Sequence, residues 1–174
     1  ILYGTNPQLK LFAINAKTLK ELWKFNPDDK VAPGWGVNRG VIYWDDNENG
    51  RIIYTSGKYI YSIDAKSGKT ESSFGENGKI DLRKNLGRPY ETIVAISNTP
   101  GVVFNDILIQ GTRVHEGPGA SPGHIRAYNL RTGKLVWKFN TIPNPGEFGY
   151  DTWPKNAWKY IGGANSWSGM TLDE

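Results

Sequence analysis

The residues that could bind a metal ion lie close together in the sequence, around Glu116. His115 precedes this carboxylate and His124 follows it, and two histidines with a carboxylate are a common zinc ligand set. The zinc pattern His-Glu-x-x-His requires a helix, whereas this segment has glycine or proline at positions 117, 118, 119, 122 and 123. We therefore reject a zinc site and expect both histidines to be structural. Glu116 is then either a solvated loop residue or a ligand for a hard cation, which prefers carboxylate oxygen.

The composition excludes several other kinds of chemistry. The chain has no cysteine, which rules out disulfides, thiolate metal sites and cysteine nucleophiles. Its net charge of +4 would permit a phosphate or carboxylate ligand, but no three basic residues follow one another. A single-stranded nucleic acid would also need exposed aromatic side chains, whereas the aromatic residues here recur at expected core positions. We therefore expect no nucleic-acid partner.

The length of 174 residues corresponds to one domain or to a part of a larger one. No stretch approaches the roughly 18 consecutive apolar residues of a membrane span, and no signal-peptide pattern is present. The chain begins with Ile1 in a strand-like pattern, so we expect a processed chain or an excised segment. Its 7 Trp, 9 Tyr and 6 Phe beside 21 Gly and 10 Pro favour short strands and tight turns, which predicts an all-β fold.

Apolar segments alternate with turn signals along two stretches of the chain. Each turn dipeptide that contains glycine supplies the positive backbone angles of a tight hairpin, so neighbouring segments should pair as antiparallel strands. The first stretch has strands at 41–44, 51–54 and 59–63, with turns at Asn49-Gly50, Ser56-Gly57 and Ser67-Gly68 and a fourth strand leading to Phe74. The second has strands at 101–104, 107–110, 124–129 and 135–139, with turns at Asn105-Asp106 and Thr132-Gly133.

An internal repeat links these stretches. Asn15, Asp64 and Asn129 each begin a turn that leads to an aromatic residue, and they are spaced by 49 and 65 residues. The Asx side chain can hydrogen-bond the turn backbone, glycine takes the left-handed position, and the following tryptophan can pack between neighbouring sheets. One copy is degenerate, with Ser72 in place of tryptophan. The alternative is that the pattern is a generic hairpin.

The repeat predicts a segment of a β-propeller built from four-stranded antiparallel blades. We expect a partial blade at 1–25, complete blades at 40–74 and 92–139, and the start of another at 162–174. Closed propellers use about four to eight blades, so this chain cannot close a ring by itself. The exposed edges of such an open structure favour association or poor solubility.

The repeat, complete at Ala127–Trp137, resembles the tryptophan-docking motif of the dehydrogenases that depend on pyrroloquinoline quinone (PQQ), which are eight-bladed propellers. The resemblance spans nearly the whole chain. It is most like the glucose-dehydrogenase-like branch of the family, because of the segments 73–82 and 146–154. The further segments that resemble the family, in order, are 37–40, 74–82, 123–128 and 162–167.

The resemblance implies a set of cofactor-binding residues. Arg39 matches an arginine that contacts PQQ, a planar tricarboxylate that a guanidinium can bind with two parallel bonds. Ser97 matches a hydroxyl that binds a cofactor carboxylate, although the register leaves Thr99 as a rival. Arg113 stands where relatives carry a small hydroxyl residue near the cofactor. Trp167 matches the indole floor beneath the PQQ ring, the alternative being a tryptophan packed between blades.

Glu116 matches the carboxylate that binds calcium (Ca²⁺) beside the quinone. In the enzyme that the resemblance implies, calcium acts as a Lewis acid on the quinone carbonyl while an aspartate base takes the proton of the substrate hydroxyl. The aspartate and a second metal ligand follow Trp167 in relatives, and only 7 residues follow it here. We therefore name no catalytic residue and expect the isolated chain to be inactive.

The resemblance further implies a sugar or alcohol substrate, a quinone or cytochrome electron acceptor, and a periplasmic location. The remaining propeller blades would have to come from further sequence or from another chain. The alternative is a non-catalytic propeller that serves as a scaffold or binding protein. A scaffold requires the repeat Trp and Gly residues for its structure, but its structure does not require Arg39, Glu116 and Trp167 in the family register.

Overall fold

The computed structural model describes residues 1–28 and 37–173, and the structural statements below concern these residues. Glu174, the last residue of the expected final blade segment, lies outside them. Besides two single 3-10 turns, the described elements are β1 (Leu2–Thr5), β2 (Leu11–Ile14), β3 (Glu21–Phe25), β4 (Ile42–Asp45), β5 (Gly50–Ser56), β6 (Tyr59–Asp64), β7 (Lys79–Asp81), β8 (Ala95–Ile96), β9 (Val102–Phe104), β10 (Ile107–Gln110), β11 (Arg113–Val114), β12 (Ile125–Asn129), β13 (Leu135–Phe139) and the short helix α1 (Ala157–Tyr160).

Three antiparallel sheets follow one another along the chain. The first sheet has the order β1-β2-β3, the second β4-β5-β6-β7, and the third β9-β10-β12-β13. A two-stranded ribbon pairs β8, which lies between the second and third sheets in sequence, with β11, which lies between β10 and β12. The all-β class and the four-stranded antiparallel units predicted from the sequence are confirmed. Among the described residues, no helix is long and apolar enough to cross a membrane.

Two details of the predicted strands are wrong. The fourth strand of the second sheet is β7, at Lys79–Asp81, whereas the segment leading to Phe74 forms only a bridge between Ile63 and Thr70. Gly50 lies within β5, and the positive φ of that hairpin belongs to Asn47 at 71°. The physical reason for glycine at 50 is space, because a Cβ there would overlap the ring of Tyr43. Residues 162–173, where the start of another blade is expected, form no strand, and Gly163 makes an isolated parallel bridge with Pro122.

All three repeat copies form the same Asx turn. The Asn129 side chain accepts hydrogen bonds from the Thr132 N–H (2.9 Å) and the Thr132 hydroxyl (3.0 Å). Asp64 accepts the corresponding bonds from Ser67, at 2.7 and 2.5 Å. Asn15 accepts a 3.0 Å bond from the Thr18 N–H, and Leu19 takes the left-handed position there with φ 58°.

The repeat aromatic of the first sheet docks on the repeat turn of the second. The Trp23 indole N–H donates to the Ala65 carbonyl at 3.1 Å, and its ring lies over Gly68. Phe25 packs edge-on against Tyr61, with ring centroids 5.3 Å apart. A buried apolar cluster fills the space between these two sheets, consisting of Leu11, Ile52, Tyr54, Tyr61, Ile63 and Ala65.

The second and third sheets pack in a related way although the repeat tryptophan is missing. The Gly75 N–H donates to the Thr132 carbonyl at 2.9 Å, so a backbone contact occupies the place of the docked indole. The largest apolar cluster lies here and includes Trp44, Ile53, Phe74 and Leu108. Trp137, the repeat tryptophan of the third sheet, is 41% exposed.

Candidate functional site

The ribbon supports the candidate site. In its register Arg113 lies opposite Ile96, so the segment that follows β8 lies beside Gly111 and Thr112 at the start of β11. Glu116 follows β11 and is exposed. The ribbon thus places Arg113 next to the segment 97–99.

One cleft brings together four of the five residues predicted for the cofactor and metal. It has a volume of about 180 Å³, and its walls are formed by Arg39, Asn98, Arg113, Glu116 and Trp167. The four predicted residues come from three segments far apart in the sequence, around positions 39, 113–116 and 167, so the meeting of these segments does not follow from local structure. Two guanidinium groups, one carboxylate and an indole therefore surround the same space.

Arg39 is held by contacts with the segment 97–99 and with Trp167. Its backbone N–H donates to the Asn98 carbonyl at 2.8 Å, and its Nη1 donates to the Thr99 hydroxyl at 3.3 Å. The guanidinium carbon lies 5.5 Å from the centroid of the Trp167 ring, which is a cation–π distance.

Glycine residues allow the segment that carries Trp167 to lie across the ribbon. A Cβ at Gly111 would overlap the Ser166 carbonyl, and one at Gly162 would overlap the Ala120 carbonyl. The Asn165 side-chain amide donates to the Thr112 carbonyl at 3.0 Å. Of the glycine pair 162–163 that precedes Trp167, Gly162 therefore permits a close approach of two backbone segments. The Trp167 side chain is 50% exposed on the cleft rather than packed between two sheets.

Ser97 is the predicted residue that the structure does not bring into the cleft. It is 5% exposed, its hydroxyl donates to the Thr99 carbonyl at 3.1 Å, and it accepts a 3.0 Å bond from the Gln110 amide. Because both bonds are internal, this hydroxyl holds the end of the strand. Thr99, the rival in the register, is the one whose hydroxyl reaches Arg39.

Asn98 and Gln110 are the site residues that sequence reasoning missed. Asn98 is 7% exposed and lines the cleft. The two hydrogens of the Gln110 amide are shared among three acceptors at 3.0 to 3.1 Å, namely Ser97 Oγ and the carbonyls of Thr99 and Gly111. A polar residue at the end of the apolar strand 107–110 was the only sequence signal, and it pointed to no partner.

A second, more apolar cleft adjoins the first. Its volume is about 260 Å³, and it shares Arg113 and Glu116 with the first cleft. Its apolar walls are Val94, Ile96 and Val114. Arg113 and Glu116 therefore separate a polar space from an apolar one.

Each histidine accepts one hydrogen bond from the backbone, and the structural role expected for both stays a prediction. His115 Nδ1 accepts from the Gly117 N–H at 3.0 Å, and His124 Nδ1 accepts from the Thr141 N–H at 3.3 Å. Burial, followed by the nearby charges of Lys138 and Arg126, lowers the pKa of His124 to about 4. In residues 1–28 and 37–173, no group of three or more His, Cys, Asp or Glu side chains could hold a metal ion.

The donor set of the first cleft fits a planar polyanion better than it fits a metal. Arg39 and Arg113 offer positive charge and hydrogen-bond donors to carboxylates, and the exposed Trp167 face offers a stacking surface. Calcium takes 6–8 oxygen ligands, of which Glu116 would supply one carboxylate. Within the described residues the cleft therefore offers donors for one side of a planar polyanion and a single carboxylate for a metal ion.

Comparison with known protein families shows which family the chain belongs to. The family described as PQQ: Glucose/ethanol/alcohol dehydrogenase, beta-propeller domain, matches residues 1–174. The chain therefore belongs to this β-propeller family, as its sequence motifs indicated.

The curated relatives that match the chain include both alcohol and glucose dehydrogenases. It is 28% identical to the dehydrogenase subunit of an alcohol dehydrogenase (quinone) from Gluconobacter oxydans, over 99% of this chain and 24% of that protein. It is also 28% identical to a quinoprotein glucose dehydrogenase from the same species, over 88% of this chain and 21% of that protein. The chain thus spans about a quarter of the length of these relatives, and the identities do not favour either class.

A solved structure shares the fold. The quinohemoprotein alcohol dehydrogenase from Comamonas testosteroni superimposes with a TM-score of 0.61 at 21% identity. The match covers 83% of this chain and 20% of that protein. This likeness supports the propeller architecture of the described sheets.

Proposed function

We propose that this chain is part of a PQQ-dependent dehydrogenase that oxidises a sugar or a primary or secondary alcohol. The observation that carries the proposal is the meeting of Arg39, Arg113, Glu116 and Trp167 at one cleft. Membership of the PQQ family supports it, because the family resemblance assigns a role beside the cofactor to each of these positions. On this proposal the chain contributes one side of the site and other blades complete it.

The residues of the chain would bind and orient the cofactor. Arg39 and Arg113 would neutralise the carboxylates of PQQ, and Trp167 would form the floor beneath its ring. When bound, PQQ supplies a quinone that accepts the hydride released from the substrate carbon. Glu116 would bind calcium beside it, with further ligands outside the described residues.

The whole enzyme would act with partners that this chain does not contain. We expect a quinone or cytochrome to accept the electrons, the remaining propeller blades to supply the base, and the protein to work in the periplasm. We name no catalytic residue in the chain. The isolated chain should be inactive, so turnover of glucose or an alcohol by it with PQQ and calcium would overturn that expectation.

The mass of the natural polypeptide, combined with a PQQ titration, tests the proposal. The titration follows tryptophan fluorescence with and without calcium, because stacking of a quinone on an indole quenches its emission. We expect a parent chain several times longer and quenching that requires calcium. The calcium-dependent quenching should disappear in Glu116→Ala, which lacks the metal ligand, and in Trp167→Phe, which lacks the indole that is quenched.

A matched variant makes the fluorescence result specific. Trp153 lies outside the cofactor cleft, so Trp153→Phe removes one indole and should leave the PQQ-dependent quenching unchanged. A natural polypeptide of 174 residues that does not bind PQQ would instead favour the non-catalytic scaffold.

A further inference from the structure

The geometry points to Thr99 as the residue that positions both the guanidinium and the indole of the cofactor cleft. This inference rests on the proposed function for the identity of the ligand, but the contacts themselves lie within the chain. Thr99 is outside the residues that line the cleft, and it acts through Arg39 and Trp167. It is therefore a positioning residue.

The hydroxyl of Thr99 uses its donor and one acceptor position at the same time. It donates to the Trp167 carbonyl at 2.9 Å and accepts from Arg39 Nη1 at 3.3 Å. A hydroxyl has one hydrogen to donate and two lone pairs, so a single side chain can make both bonds. These bonds join segments separated by 60 and 68 residues, which no local structure holds together.

The backbone of Thr99 is itself fixed. Its carbonyl accepts hydrogen bonds from the Ser97 hydroxyl at 3.1 Å and from the buried Gln110 amide at 3.1 Å. The neighbouring Asn98 carbonyl accepts the Arg39 N–H. Because these bonds anchor the backbone of Thr99, its hydroxyl can hold the Arg39 guanidinium and the backbone of Trp167, which carries the indole.

Positioning matters here because the side chains of Arg39 and Trp167 are exposed and are not held in a packed core. An ordered arginine loses less rotamer entropy when it binds a carboxylate, and an ordered indole offers a fixed stacking plane. The cation–π contact between Arg39 and Trp167 requires the same alignment. Thr99 would therefore set the spacing between the group that binds a carboxylate and the surface that stacks on the ring.

The test compares Thr99→Val with Thr99→Ser in the full-length protein that carries this chain. Valine keeps the shape and removes both hydrogen bonds, whereas serine keeps the hydroxyl. In the absence of cofactor, hydrogen–deuterium exchange of peptides covering 164–170 should rise several-fold in Thr99→Val and return to normal in Thr99→Ser. The PQQ dissociation constant should rise about tenfold in the valine variant only, since two modest hydrogen bonds are lost.

Thr112→Val is the matched control. Thr112 is fully buried beside the same segment, and its hydroxyl has no hydrogen-bond partner among the described residues. The substitution removes a hydroxyl without breaking a bond, so it should change neither the exchange nor the affinity. A peptide within β6 should exchange equally in every variant.

The outcomes separate the positioning role from the proposed function. Faster exchange in Thr99→Val in a protein that does not bind PQQ would support the positioning role and refute the proposed ligand. Unchanged exchange in Thr99→Val would overturn the positioning role. Weaker PQQ binding without faster exchange would also overturn it, because Thr99 would then contact the cofactor directly.

Discussion

His124 is a buried histidine that should make the stability of the chain depend on pH. Its side chain is 6% exposed, and burial lowers the pKa to about 4 from an ordinary value of 6.5. The unfolded chain therefore binds more protons than the folded chain between pH 6.5 and 4. The contribution of the neutral imidazole is fully present above pH 6.5, declines as the pH falls, and is lost below about pH 4.

Urea unfolding of the wild type and of His124→Asn between pH 7 and 4 measures this contribution. Asparagine can keep the acceptor for the Thr141 N–H but does not titrate. After allowance for solvent screening, we expect the wild type to lose on the order of 2 kcal/mol more than the variant across this range. Parallel stability curves would show that the imidazole is not responsible.

Some residues of the cleft were easier to predict from the sequence than others. Arg39, Glu116 and Trp167 were identifiable only because they stand in the register of the family resemblance, and their functional groups suit a carboxylate-rich quinone and a hard cation. The hydroxyl was harder to assign, because Ser97 and Thr99 differ by two positions and their roles depend on Gln110, which lies on another strand. Such cross-strand bonds leave no pattern in a single sequence.

At the scale of the secondary-structure elements, the first sheet packs against the second through the contact between Trp23 and Gly68. Gly68 has φ 71°, and a Cβ there would lie 2.6 Å from the Trp23 ring. Gly68→Ala should therefore cost the left-handed backbone penalty and also displace the indole from the second sheet. We expect a loss of more than about 2 kcal/mol in the free energy of unfolding.

Gly87→Ala is the matched control for this prediction. Gly87 has φ 70°, but a Cβ there would meet nothing within 4 Å. Its cost should be about 1 kcal/mol, since only the backbone penalty remains. Equal losses for the two variants in urea unfolding would mean that the contact between Trp23 and Gly68 adds nothing to stability.

The strands and hairpins were largely predictable because apolar runs and Asx-Gly signals reflect local backbone preferences. The exception is β7, since the chain passes through Gly75 and Gly78, both left-handed at φ 57° and 85°, before it pairs with β6. Glycine in a strand-like segment permits either a strand or a turn. The choice depends on the contact between Gly75 and Thr132 of the third sheet, which a local pattern does not contain.

At the scale of the whole molecule, the third sheet ends in an uncovered apolar face. Leu135, Trp137 and Phe139 alternate along β13 and are 36%, 41% and 59% exposed. The equivalent residues of the first sheet, Trp23 and Phe25, are covered by the second sheet. β13 is also an edge strand, because β12 is its only partner among the described strands.

An uncovered docking face on an unpaired edge should make the 174-residue chain associate in solution. We expect multi-angle light scattering to show a mass that rises with protein concentration, with dissociation constants of about 10–100 μM for so small an apolar surface. The double variant Trp137→Lys with Phe139→Lys should remain monomeric, because each lysine would have to be desolvated to form the contact. Leu19→Lys is the control, since Leu19 is 74% exposed on a turn of the first sheet. A monodisperse monomer at high concentration, or monomerisation by Leu19→Lys alone, would show that the face of β13 does not drive association.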